Sequence, residues 1–257
     1  MNPADIDTVI QKVRFELYRE NLEGALELLE VARAAHPDPR YREQAERILL
    51  GRKTRKLVCR RAEHPEFQLL EGEVLAVRAA RVLDGGCGEG GVALALGARH
   101  GDIRVDGVEV SATNVKIARK LNRYPNVAFH QGLAEEVHLL FPPESFDLAY
   151  SFAVLEHVRD VNATVASMLT VLRSGGRFCF VVPMHEFVAK GPIPEYAPTH
   201  GYADHVRVFT EAELRRRFGG NPGFSLHKIP GSWKPGEFPD CFVPLEFGSF
   251  FVAFSKS

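Results

Sequence analysis

Two groups of residues in this 257-residue sequence are of types and spacings that could do chemistry. In the first, Val82-Leu-Asp-Gly-Gly-Cys-Gly-Glu-Gly-Gly91, an apolar strand ends in Asp84 and turns through Gly86, Gly88 and Gly90. Glycine is required where a backbone turning into a helix must approach a ligand closely, because a side chain would block it. Glu109 follows at about the 20-residue interval at which an acid takes ribose hydroxyls. Read as Gly86, Gly88 and Gly91, the same turn satisfies a dinucleotide fingerprint, so it points to a nucleoside without deciding which. Asp84 bears on that choice, since a carboxylate beside the turn repels a pyrophosphate and tolerates an ammonium. The second group is Glu156 and His157. A histidine has an ordinary pKa suited to general-base work near neutrality, although one opening a helix also serves to pack or cap.

Other polar residues gather after Pro183. His185, His200, Asp204 and His205 could supply ligands to a divalent cation, and Tyr196, Tyr202, His200 and His205 could line an acceptor pocket. Loop histidines are more often plain surface groups, so no metal is expected. Phe152 and Trp233 read as packing residues rather than substrate platforms.

The elements that must position these residues alternate between strand and helix. Strands are predicted at Arg81–Asp84, Val105–Val110, Val127–His130, Phe146–Ser151 and Arg177–Val182. Helices are predicted after Gly91, from Thr113, and with Val161, Val165, Met168, Leu169 and Leu172 on one face. This order implies an α/β fold with a parallel sheet covered by helices on both sides. The connection after Pro183 exceeds the usual length and leaves the carboxyl edge of the sheet, where α/β ligands bind, so residues 184–209 read as an acceptor lid. A capped helix follows at Thr210-Glu-Ala-Glu213. The late strands Phe224–Ile229 and Phe250–Phe254, separated by the Pro- and Gly-rich PGSWKPGEFPD, predict a C-terminal antiparallel hairpin.

At this point the sequence resembles the class I S-adenosylmethionine-dependent methyltransferases over about Arg81 to Val182 and, more loosely, in the C-terminal hairpin. Their pattern [DE]xGxGxG is matched by Asp84, Gly86, Gly88 and Gly90, and the acid ending their second strand by Glu109. FDLAYSFAVLEHV and LRSGGRF are similar to their fourth- and fifth-strand motifs. The resemblance implies a Rossmann-like fold, S-adenosyl-L-methionine as cofactor, and methyl transfer to oxygen or nitrogen of a small-molecule or saccharide-like acceptor. Asp84, Gly86, Gly88, Gly90, Glu109, Leu133, Ala134 and Ser151 would hold the cofactor, and Glu156 and His157 would stand at its methyl-bearing end. Two departures matter. Where such enzymes often carry an acid for the adenine amino group, this chain has Leu133, so backbone near Ala134 and apolar packing would have to hold the base. Where some relatives bind a metal through Glu-x-x-Glu-His, the first position is Ala153.

Upstream, Ile6, Val9, Ile10, Val13 and Leu17, then Leu22, Ala25, Leu26, Leu29 and Ala32, recur at helical spacing. LYRENLEGALELLEVARAAHPD resembles the helical hairpin of a tetratricopeptide repeat, and one copy cannot bury its own apolar face. Residues 1–62 are therefore expected to form a helical appendage to a domain at 63–257, open to a protein partner or a second copy of the chain. Arg52 to Arg61 carries six basic residues and no acid, which reads as a solvated face or linker more readily than a nucleic-acid contact. With Lys+Arg 32 against Asp+Glu 33, the chain has no global charge to steer it toward nucleic acid or membrane. Four scattered cysteines suggest neither a disulfide framework nor a thiolate zinc site. The absence of a signal layout or long apolar run makes a cytoplasmic setting the expectation. The competing readings are an NAD-dependent oxidoreductase, which Asp84 disfavours, and a non-catalytic cofactor-binding or interaction protein, which Leu133 keeps open.

Overall fold

In the computed structural model of the protein, residues 57–184, 207, 209–233 and 247–257 are described, with residues 9, 12, 13, 22–35 and 54 ahead of them. The chain divides into two compact units, Met1–Lys56 and Leu57–Ser257. In the first, α1 spans Leu22–Ala35, and Leu29 and Val13 are buried. Most of the expected preceding helix lies outside the described residues. The sequence division falls after Ala62, so Leu57 and Arg61 group with the second unit.

The second unit opens with helical residues 57–62 and α2, Pro65–Ala76. The order is then β1 Arg81–Gly85, α3 Gly91–Arg99, β2 Arg104–Glu109, α4 Ala112–Leu121, β3 Val127–Gln131, a 3-10 turn at Ala134–Glu136 and α5 Val137–Leu140. After these come β4 Phe146–Phe152, α6 Val161–Val171, β5 Leu172–Pro183, α7 Glu211–Phe218, β6 Ser225–Trp233 and β7 Phe247–Ser255. The seven strands run β3-β2-β1-β4-β5-β7-β6. The first five are parallel and the last pair antiparallel. This is a Rossmann-like mainly parallel sheet closed by a C-terminal antiparallel hairpin.

Burial explains the arrangement. After its first residue every position of β1 and β2 is buried, which is the pattern of strands covered on both faces and requires parallel pairing with crossover helices. Strand order reverses beside β1, with β2 on one side and β4 on the other, and that reversal opens a crevice at the carboxyl ends of the strands. Helix starts are fixed by side chains. Ser111 accepts from Asn114 N at 3.3 Å, Asp160 from Asn162 N at 2.8 Å, and Thr210 from Glu213 N at 3.2 Å, each satisfying a donor the helix leaves open.

Two local readings differ from the sequence expectation. Leu172, read on the apolar face of α6, begins β5 and pairs with Phe146, and the pairing shifts register before Arg177. Helix α2 was not anticipated. Pro65 at its first turn and buried Phe67, Leu70 and Val74 carry the signal, since Pro opens helices and the apolar spacing marks one face. Glu73 ties α2 to β5 through a bidentate pair, with Arg177 Nε and Nη2 donating at 2.7 and 3.0 Å. Among the described residues no helix is long and apolar enough to cross a membrane.

Candidate functional site

The crevice beside β1 holds a cavity of about 800 Å³, at the upper end of the range usual for small-molecule sites. Asp84, Gly86, Gly88, Glu109, Leu133, Ala134, Ala153 and His157 all line it. Residues at positions 84, 109 and 153 to 157 come together because β1, β2 and β4 are adjacent and parallel, so their carboxyl ends share one rim.

Glu109 is 9% exposed and its carboxylate is held by backbone. Gly88 N donates to Oε2 at 3.0 Å and Ser111 N to Oε1 at 2.9 Å. Each oxygen retains a further lone pair for a ligand hydroxyl. The turn before it is pinned by Gly86 N and Cys87 N, which donate to Val108 O at 2.8 and 2.9 Å. Gly86 has φ 93°, and a Cβ there would lie 2.3 Å from Val154. Gly90 has φ 83°, and its Cβ would lie 2.5 Å from the Phe129 ring. Gly90 is therefore a packing requirement at the N-cap of α3 and does not itself line the cavity.

Asp84 is buried and accepts from the Tyr150 hydroxyl at 2.8 Å. Burial pushes its carboxyl up from 3.8 to about 7, opposed by the Tyr150 hydrogen bond, reinforced by the nearby Glu109 charge and opposed by Arg61. Loss of solvent disfavours the ionised form, so a cation arriving beside Asp84 restores it. Cys87 also faces the cavity, but burial, then Asp84 and Glu109, push its thiol up strongly. It supplies no thiolate nucleophile at neutral pH.

The Ser151 hydroxyl is buried and donates to Gly85 O at 2.7 Å. It locks β4 to β1 and does not line the cavity. Glu156 is fully buried, whereas its neighbour His157 lines the cavity. Ala153 has φ 54°, a left-handed conformation that is strained for a residue with a Cβ and that recurs at functional sites. The loop it opens is clasped by Arg207, which is buried and donates to Leu155 O at 3.4 Å and Arg159 O at 2.8 Å. Met184 bridges Phe209, so the flanks of segment 185–206 are fastened beside this loop. His185, Tyr196, His200, Tyr202, Asp204 and His205 lie outside the described residues, as does the side chain of Trp233. Among the described residues no three His, Cys, Asp or Glu side chains stand together as a metal site.

Sequence reading missed the contribution from upstream. Leu57, Arg61, His64, Glu66 and Phe67 line the cavity. Arg61 packs against α3, where a Cβ on Gly91 would lie 3.1 Å from its Nε. The basic run hid it, because five neighbours of like charge make one inward-turned arginine look like part of a solvated face.

Residues 83–180 match the family model described as a methyltransferase domain. Among curated proteins, the chain is 35% identical over 106 residues to the S-adenosyl-L-methionine-dependent Diels-Alderase iccD of Talaromyces variabilis, covering 40% of this chain and 36% of the relative. It is 29% identical over 150 residues to the ubiquinone biosynthesis O-methyltransferase of Aeromonas salmonicida, covering 53% and 59%. The chain thus spans about half the length of the curated relatives it matches. Among solved structures, the YcgJ protein of Bacillus subtilis superposes with a TM-score of 0.54 at 20% identity over 72% of this chain and 98% of that one. A S-adenosylmethionine-dependent methyltransferase from Thermotoga maritima superposes with a TM-score of 0.51 at 23% identity over 82% and 97%. The fold is that of the Rossmann-like methyltransferases, and the cofactor of such a domain is S-adenosylmethionine.

The cavity fits that cofactor. Glu109 has two restrained acceptors that would suit a ribose, Leu133 and Ala134 form an apolar stretch that would suit a purine, and Asp84 is a buried acid that would suit an ammonium.

Proposed function

We propose that this protein transfers a methyl group from S-adenosylmethionine to oxygen or nitrogen of a small-molecule or saccharide-like acceptor. The observation that carries the reading is Glu109, whose two oxygens are each fixed by one backbone N–H at the mouth of a glycine turn. When bound, the cofactor supplies an electrophilic methyl carbon. The chain's own residues do the rest. Glu109, Leu133 and Ala134 hold the nucleoside; Asp84, supported by Tyr150, balances positive charge; Gly86 and Gly88 let the backbone come close. His157, on the loop clasped by Arg207, takes the proton of an acceptor hydroxyl or amine through its imidazole. Alignment supplies the remaining rate, because an in-line displacement depends on holding the acceptor atom at the methyl carbon. Glu156, fully buried just before His157 in the chain, would act by supporting that loop.

Residues 57–257 form the cofactor-binding unit in this reading. The N-terminal helices, with their tetratricopeptide-like pattern, are left to a protein partner or a second copy, and segment 184–209 to the acceptor. Titration calorimetry tests the cofactor choice. S-Adenosylmethionine and its demethylated product should bind while NAD does not; binding of NAD alone would overturn the reading. One relative is named as a Diels-Alderase, so transfer is tested separately, by following the labelled methyl group from cofactor to a panel of acceptors.

A further inference from the structure

Glu66 lines the cavity from the first turn of α2 and is 5% exposed. Neither carboxylate oxygen has a hydrogen-bond partner among the described residues; His64 Nδ1 lies 3.8 Å from Oε2, an ion-pair distance when the ring is protonated but too long for a hydrogen bond. A carboxylate out of water and without hydrogen bonds is costly unless something brings it a donor or a positive charge. We propose that Glu66 anchors a cation subsite for the acceptor, and that the acceptor is an amine-bearing small molecule; this rests on the methyl-transfer reading above.

Position assigns Glu66 to the acceptor rather than to the cofactor. The nucleoside wall, Glu109, Leu133 and Ala134, comes from β2 and the residues after β3, on one side of β1. Helix α2 reaches the other side, where Glu73 grips Arg177 of β5, while Glu71 ties its middle to Arg99 and His100 at the end of α3. From Glu73 back to Glu66 the helix rises about 10 Å, and from Arg177 to Val181 the strand advances about 13 Å. With α2 laid along β5 these lengths match, and Glu66 lines the same cavity as Val181, at the carboxyl end of β5, and as Phe67 and Phe152, which give it apolar walls. The cofactor's own acid, Asp84, lies at the end of β1, hydrogen-bonded to Tyr150.

Charge points the same way. Glu66, Asp84, Glu89, Glu109 and Glu135 line the cavity, against Arg61 as its one fixed cation among the described residues. S-Adenosylmethionine, with two positive groups and one carboxylate, brings a single net positive charge. The filled cavity stays acidic, which disfavours a carboxylate or phosphate acceptor and favours an ammonium.

The experiment uses the full chain saturated with S-adenosylhomocysteine. Three probes of matched shape are titrated into it: 2-phenylethylamine, 2-phenylethanol and 3-phenylpropionate. The amine should bind at least tenfold tighter than the acid. In Glu66→Gln, which keeps the size of the side chain and removes its charge, that preference should shrink at least fivefold while S-adenosylhomocysteine affinity stays within twofold. The wild-type comparison stands even if the variant folds poorly. A tenfold loss of S-adenosylhomocysteine affinity in the variant would reassign Glu66 to the cofactor and overturn the proposal. So would equal binding of amine and acid, or no amine binding at millimolar concentration. Failure of the wild type to bind S-adenosylhomocysteine at all would instead bring down the methyl-transfer reading beneath it.

Discussion

The two sides of the cavity are built on different principles. On the β2 side, Glu109 is restrained before any ligand arrives, with each oxygen already bonded to a backbone N–H contributed by the glycine turn or by the start of α4. On the β4 and β5 side, the polar groups Glu66 and His157 come from separate elements, and the loop carrying His157 is fastened from outside by Arg207. Preorganised acceptors suit a ligand whose shape never varies. Side chains borrowed from a helix before the sheet and a loop within it can be exchanged without disturbing the nucleoside wall, which suits the part of a molecule that differs from one enzyme to the next.

If that division is right, damage on one side should spare the other. The largest effect is expected for His157→Ala, which should slow transfer by about 100- to 10,000-fold where proton removal is needed, with S-adenosylhomocysteine affinity unchanged. Single-turnover kinetics beside calorimetry separate the two quantities. Full activity would reduce His157 to packing and leave alignment, or His200 or His205, to explain the rate. In the same assay EDTA should leave activity intact, because Ala153 removes one carboxylate and Glu156 is buried away from the cavity. Activity abolished by EDTA and restored by magnesium or zinc would overturn the metal-free assignment.

Next in size, Glu109→Ala should weaken S-adenosylhomocysteine by about 1.5 to 3 kcal/mol, or roughly 10- to 150-fold, because charge-assisted hydrogen bonds to the ribose are lost. The same change frees Gly88 N and Ser111 N, so the turn itself loosens. Saturating cofactor should restore most of the rate. A variant that binds normally but turns over slowly would contradict the comparison, since it would place Glu109 on the acceptor side.

Asp84 lies at the seam, and its effect appears in stability. Its carboxyl has an unperturbed value of 3.8 and sits at about 7 in the folded, ligand-free protein. The folded state therefore retains a proton that the unfolded chain releases, so stability from this group is full below about pH 4 and is lost as pH rises toward 7. Asp84→Asn keeps an oxygen for the Tyr150 hydroxyl and removes the titration. Melting temperatures of wild type and variant should diverge in favour of the variant between about pH 4 and 7 and run parallel above. A difference independent of pH would show that Asp84 is ionised in the empty fold.

How far the sequence revealed this follows the same division. The β2 side was legible because a strand, a glycine turn and an acid at a fixed interval lie in one stretch, and the physics that demands them is local. The succession of strands and helices along the chain and the closing hairpin were legible from alternation and turn chemistry. Helix α2 is marked by Pro65, Phe67, Leu70 and Val74 but carries no chemical motif, so its signal is weak in the sequence. Arg61, Glu66 and Arg207 were not legible at all. Arg61 and Arg207 act across the fold on groups far away in sequence, Glu66 faces the cavity without a hydrogen-bond partner among the described residues, and each looks locally like one more surface charge. Ser151, read from the sequence as a cofactor contact, is buried at the end of β4, where its hydroxyl donates to Gly85 O.

The smallest expected effect concerns the one position of the nucleoside wall that departs from the resemblance. Leu133 is 40% exposed at the edge of the cavity, next to Ala134, and cannot accept a hydrogen bond from the adenine amino group. Leu133→Asp supplies an acceptor there. A charge-assisted hydrogen bond can reach about 3 kcal/mol, but at a site this open water competes on both partners, so the gain should be at most about 1 kcal/mol, roughly fivefold in affinity. Calorimetry with S-adenosylhomocysteine and with its analogue lacking the 6-amino group distinguishes a specific bond from a general change of charge. The natural ligand should tighten two- to fivefold and the analogue should not, because only the former has a donor to offer. Equal tightening of both would mean that the new carboxylate acts at a distance, and weakening of both would mean that the purine in this protein is held chiefly by apolar contact with Leu133, leaving no vacancy for an acid to fill.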